Sequence, residues 1–96
     1  MEEDNWEELL DSRVVAKAAF VENRFRRELS SMILRWMEDN HVTREQLQSQ
    51  ANISPSQLAR VLHEEVGGAL HLSTIIRVCN VANYDVAITV EKWVKP

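Results

Sequence analysis

Glycine and proline are scarce in this 96-residue chain, two of each, which excludes collagen-like and low-complexity architectures and leaves few places where a helix must break. The one cysteine, Cys79, excludes an internal disulfide framework. Set among apolar neighbours in IIRVCNVA, it reads as a buried thiol acting as a small hydrophobe. No apolar run approaches the roughly 20 residues needed to cross a bilayer. The opening MEEDNWEELL is acidic where a secretory signal is basic and then apolar, so the expected location is the cytoplasm. His41, His63 and His71 show no ligand spacing among themselves or with Cys79, and no metal is expected. No Ser-His-Asp, Cys-His or paired-carboxylate arrangement falls on converging elements, and Gly67-Gly68 reads as a turn. Neither an enzyme nor a cofactor is expected.

What the chain does have is hydrophobic content, 45%, arranged with helical spacing, enough for one compact domain with a modest core. Residues 1–12 form an acidic segment in which Trp6, Leu9 and Leu10 share a helical spacing, and residues 13–96 form the domain. Phe25, Leu29, Met32, Ile33 and Trp36 trace one apolar face of a long helix expected to end near Asn40, a residue that tolerates the left-handed cap conformation. Thr43 and Gln46 have the spacing of a capping box, and Leu47 and Ala51 mark the inner face of a second, two-turn helix. Asn52 suits a positive-φ turn, Ile53 a core plug, and Ser54-Pro55 an N-cap with proline at the first helical position. The third helix then buries Leu58, Val61 and Leu62 and turns Ser56, Gln57, Arg60 and His63 outward. Leu72, Ile75, Ile76 and Cys79 outline a fourth helix ending at Asn80 or Asn83.

After Tyr84 the period falls to two. Val86, Ile88 and Val90 alternate with Ala87, Thr89 and Glu91, which predicts one strand over about 85–92. No other stretch reads as a strand, so its ladder must be completed by a second copy, with Val86, Ile88, Val90 and Trp93 at the dimer seam.

Two short helices around a tight turn, the second led by SPSQ, are written like a helix-turn-helix over about residues 43–63. From about Leu34 to Ile88 the chain resembles the Xre-type family of Cro/lambda-repressor-like DNA-binding domains: TREQLQ keeps the Thr and Leu of the family's scanning helix, and SPSQLARVL is similar to its recognition helices. Gln48, Asn52 and Ala59 depart from the family's usual Ala, Gly and Ser, and His63-Glu64-Glu65 replaces the usual Asn-Gly-Lys. The two glutamates imply that this loop faces away from DNA or has lost a backbone contact. The resemblance implies an all-α fold of four to five helices, lambda-repressor-like, with a long N-terminal helix and one C-terminal strand.

The same resemblance implies that the third helix lies in the major groove. Ser56, Gln57 and Arg60 would then face base edges, Arg60 being equally able to grip a phosphate, Thr43 and Arg44 would meet phosphates, and Ser54 and His63 would belong to the same DNA-binding face. It also implies a dimeric repressor of its own operon on a palindromic duplex operator. VVAKAAFVENRFRRELSSMILRWMEDN is similar to the leaders of antitoxins and small phage regulators, which adds a second expectation: a protein-interaction module, with a toxin as possible partner, acting through the acidic segment. Charge fits that division, because residues 1–40 carry six Lys/Arg against ten Asp/Glu while residues 41–96 carry five of each.

Overall fold

The computed structural model describes residues 12–63 and 68–90. The acidic segment up to Asp11, the loop glutamates Glu64 and Glu65, and Trp93 lie outside them. Four helices follow in order: α1 (Ser12–Asn40), α2 (Arg44–Ala51), α3 (Pro55–Val61) and α4 (Leu72–Val81). At 1.5 Å per residue the 29 residues of α1 span about 44 Å, far longer than the helices they pack on. Only the C-terminal half of α1 belongs to the core.

That core forms where all four helices meet. Ile33 from α1, Leu47 from α2, Leu58 and Val61 from α3 and Val78 from α4 are sealed from solvent, with Leu29, Met37, Ala51, Leu62, Ile75, Cys79 and Ala82 around them. Each large side chain of this set contributes roughly 1.5–3 kcal/mol of apolar transfer. Leu58, Val61, Leu62, Leu47 and Ala51 are buried as expected, and Ile53 packs half-buried against the core. Burial pushes the Cys79 thiol above its ordinary titration range, in keeping with a small hydrophobe.

Three expectations are corrected. Phe25 is 45% exposed because the neighbouring helices end before reaching it, and Met37 takes its place on the buried face. On α4, Leu72 is exposed while Thr74, Val78 and Ala82 are buried, so the inward face is rotated from the one the aliphatics outline. The left-handed residue after α1 is His41 (φ 54°), not Asn40. Asn40 stays helical and its Nδ2 donates to the Trp36 carbonyl at 2.9 Å.

Asn83 (φ 67°) is the left-handed residue after α4, and the Tyr84 amide returns to the Cys79 carbonyl at 2.8 Å. Beyond it, residues 84–90 form neither helix nor strand among the described residues. A strand requires a second row of backbone partners, and the described part of this one chain offers none beside Val86, Ile88 and Val90, all of them exposed. The segment runs back along α1: residues 84–87 border a small groove with Phe25, Glu28 and Met32, and residues 87–89 border a larger one with Val14, Ala18 and Val21.

Candidate nucleic-acid interface

The helix-turn-helix is organised by two capping boxes of the same design, one at the start of each helix. At α2, Thr43 Oγ1 accepts from the Gln46 amide (3.1 Å), and Gln46 Oε1 accepts from the Thr43 amide (2.8 Å). At α3, Ser54 Oγ accepts from the Gln57 amide (3.2 Å), and Gln57 Oε1 accepts from the Ser54 amide (2.8 Å). Each box satisfies two amides that the first helical turn leaves open, and Pro55 at the first position of α3 has no amide to satisfy.

Between the boxes, Asn52 takes the left-handed conformation (φ 56°, ψ 54°), and its amide and that of Ile53 close onto the last turn of α2. Asparagine adopts this conformation at lower cost than most side chains, so the absence of the family's glycine does not open the turn. The Asn52 carbonyl is held from the other side by Arg77 Nη1 at 3.2 Å, which ties the turn to α4. Arg77 was not singled out in the sequence. Its one signal there is a cation interrupting the apolar run of α4.

Thr43, Ser54, Ser56 and His63 are exposed, whereas Arg44, Gln57 and Arg60 are half-buried. Ser54, Ser56, Gln57 and Arg60 share α3 or its cap, and Thr43 with Arg44 opens α2. His63 sits just past α3 in a left-handed conformation (φ 61°). Two side chains are less outward than their spacing suggests. The carbonyl oxygen of the Gln57 amide is turned back into its own capping box. The stem of Arg60 lies against Gly68: a Cβ built on that glycine would stand 2.5 Å from Arg60 Nε and 2.9 Å from its Cδ. Nε is buried there, so the other polar contacts of the guanidinium fall to its two outer nitrogens.

Gly68 is also the point where α1 grips the end of the motif. Arg26, 7% exposed, donates from Nη2 to the Gly68 carbonyl (2.8 Å) and from Nε to Glu22 Oε2 (3.1 Å). This long-range contact joins α1 to the chain beyond α3. Among the described residues no group of three or more His, Cys, Asp or Glu side chains is placed to hold a metal ion. No described helix is long and apolar enough to cross a membrane.

No curated protein and no solved structure matches the chain significantly. A family model does: the Cro/C1-type helix-turn-helix DNA-binding domain matches residues 32–87, more than half of the 96 residues. The match begins in the half of α1 that enters the core, spans both capping boxes and the Asn52 turn, and runs through α4 into the following segment. The chain therefore belongs to the family of Cro/C1-type helix-turn-helix DNA-binding domains.

Proposed function

We propose that the protein is a dimeric transcriptional repressor that binds a roughly palindromic double-stranded operator, its own promoter included. α3 enters the major groove with Ser56, Gln57 and Arg60 toward base edges. Thr43, Arg44 and Ser54 meet phosphates, and His63 borders the contact at the far end of α3. The observation that supports this reading best is the exposed lead of α3, Ser54-Pro55-Ser56, set rigidly between a left-handed turn and a capping box. Such a lead can approach a duplex without the protein rearranging. Arg60 reaches guanine with its outer nitrogens, and Gln57 offers its amide as a donor while its oxygen remains in the box. Val86, Ile88, Val90 and Trp93 belong to the seam between the two copies, which places half-sites about 10–10.5 base pairs apart, or multiples of that.

The test is selection of bound duplexes from a random pool, followed by anisotropy titrations of the selected site over a salt series. Specific binding that weakens steeply with salt is expected, and Arg60→Ala should cost about 1–3 kcal/mol on the selected site. Failure to enrich any motif overturns the reading.

A second role is favoured by one observation: residues 1–31 lie outside the family match and carry six carboxylates before Ser12. In this reading the acidic segment binds a partner protein such as a toxin. Deleting residues 1–12 then abolishes partner binding and spares the operator.

A further inference from the structure

The part of α1 that precedes the family match carries an apolar stripe that the described fold does not cover. Val14, Ala18, Val21 and Phe25 lie along one face, and with Ala87 and Ile88 from the C-terminal segment they line an open groove of about 750 Å³. Val21 and Phe25 are 52% and 45% exposed, and Ile88 is 64% exposed. An apolar groove of this length beside an unpaired chain segment marks a protein interface rather than a solvated surface. Its charged members are Lys17 and Glu22, one toward each end of the stripe.

The order of these residues identifies the occupant. About a two-fold axis passing between Ala19 and Phe20, an antiparallel second copy of the same helix sets Ala18 opposite Val21 of the other copy. It sets Val14 opposite Phe25, and Lys17 opposite Glu22. Every small side chain meets a larger one, twice, as an isologous interface demands, and Lys17 faces a Glu22 that already accepts from Arg26 Nε of its own chain. A foreign helix has no reason to match this pattern, whereas a second copy of this chain matches it by symmetry. The stripe from Val14 to Phe25 is about 17 Å long, enough for three turns to interdigitate at Ala18, where the small side chain lets the helices approach.

We propose that the N-terminal half of α1 is a homodimerisation helix. It pairs antiparallel with its copy in the groove between α1 and residues 87–89, and the C-terminal segment of each chain flanks the helix of the other. The proposal rests on the dimer reading above and assigns that dimer its principal contact, which the alternation of Val86, Ile88 and Val90 does not supply by itself.

The experiment is sedimentation equilibrium of the full chain over a concentration series, with circular dichroism on every variant. The wild type should show twice the 11.1 kDa chain mass. Ala18→Arg should weaken the dimer at least about tenfold with helicity unchanged, because position 18 is solvent-exposed in the monomer and arginine favours helix. Lys17→Glu should weaken it less, and exchanging Val14→Phe with Phe25→Val, which keeps the pair across the axis, should leave it near the wild-type constant. A wild type that stays at the monomer mass up to about 100 µM overturns both this proposal and the dimer reading. An Ala18→Arg protein that dimerises like the wild type while Ile88→Asp does not overturns the helix pairing alone. An exchange variant much weaker than the wild type overturns the antiparallel register.

Discussion

The two halves of α1 carry the same kind of apolar spacing and come to opposite ends. From Arg26 to Asn40 the stripe is consumed: Leu29, Ile33 and Met37 are 5%, 0% and 8% exposed. From Ser12 to Phe25, Val15, Phe20, Val21 and Phe25 are all at least 45% exposed, although the helix is continuous through the junction. Periodicity states which face of a helix is apolar, but what covers that face depends on how far the neighbouring elements extend. Here α3 and α4 stop short, and Arg26 marks the boundary by turning a buried guanidinium onto the Gly68 carbonyl. Beside the N-terminal half, the described residues place the segment 87–89 across an open groove.

The contrast breaks most visibly if equal truncations are made on either side of the junction. Ile33→Ala, in the sealed core, should cost about 2–5 kcal/mol in urea unfolding. Val21→Ala should stay within about 0.5 kcal/mol at concentrations where the chain is monomeric. A comparable loss at both positions means that the first half of α1 is packed within the monomer, and the distinction between the halves falls.

Gly68 sharpens the comparison at the junction itself. A methyl group there collides with the middle of the Arg60 side chain, not with its flexible tip, while Arg26 holds the same residue by its carbonyl. Gly68→Ala should therefore destabilise by about 1–3 kcal/mol as an overpacked site. It should weaken operator binding as well, because Arg60 has to leave its seat. Full stability and full binding together would show that the Arg60 stem is not seated there.

Much of the motif could be read from residue chemistry alone, because it is built from short-range rules. Thr43 with Gln46, Asn52, and Ser54-Pro55 each specify a cap or a turn within four residues, and all three form as the spacing predicts. The misread features depend on partners distant in sequence. Phe25 and Leu72 look like core residues until the lengths of the facing helices are known. Arg26 looks like one more surface cation, though its partner is 42 residues away. Arg77 reaches back 25 residues to the turn. Within the candidate interface, the spacing identified the outward face of α3 but not the side chains that fold back on it. Gln57 reads equally well as a base reader or as the third residue of a capping box, and Gly68 gives no sign that Arg60 will lie against it.

The caps themselves carry a smaller effect. Ser54→Ala removes the acceptor for the Gln57 amide and should cost about 1 kcal/mol of stability. The backbone amide at position 54 still donates to Gln57 Oε1, so the Gln57 side chain keeps its half of the box. Stability should therefore decline while base preference holds, measured by thermal unfolding and by repeating the duplex selection. An unchanged melting temperature would show that the box contributes nothing to holding α3.

The smallest expected effect is a test of how closed the anchored region is. Cys79 lies at 4% exposure beside Val78 and Ala82, and burial raises its thiol pKa in the fold above that of the unfolded chain. Below the unfolded value both states keep the proton and the full benefit of burying a neutral thiol is present. As pH rises past that value the unfolded chain loses its proton first, so stability falls until the folded thiol also ionises. The decline can be no steeper than about 1.4 kcal/mol per pH unit for a single group. Urea unfolding of the wild type and of Cys79→Ala from neutral to alkaline pH separates this contribution from those of tyrosine and lysine. The variant should be less stable at neutral pH, and its deficit should shrink as the solution becomes alkaline. A deficit that stays constant would mean that solvent reaches the thiol in the native state, and the sharp division between a sealed core and an open N-terminal half would be lost at its sealed end.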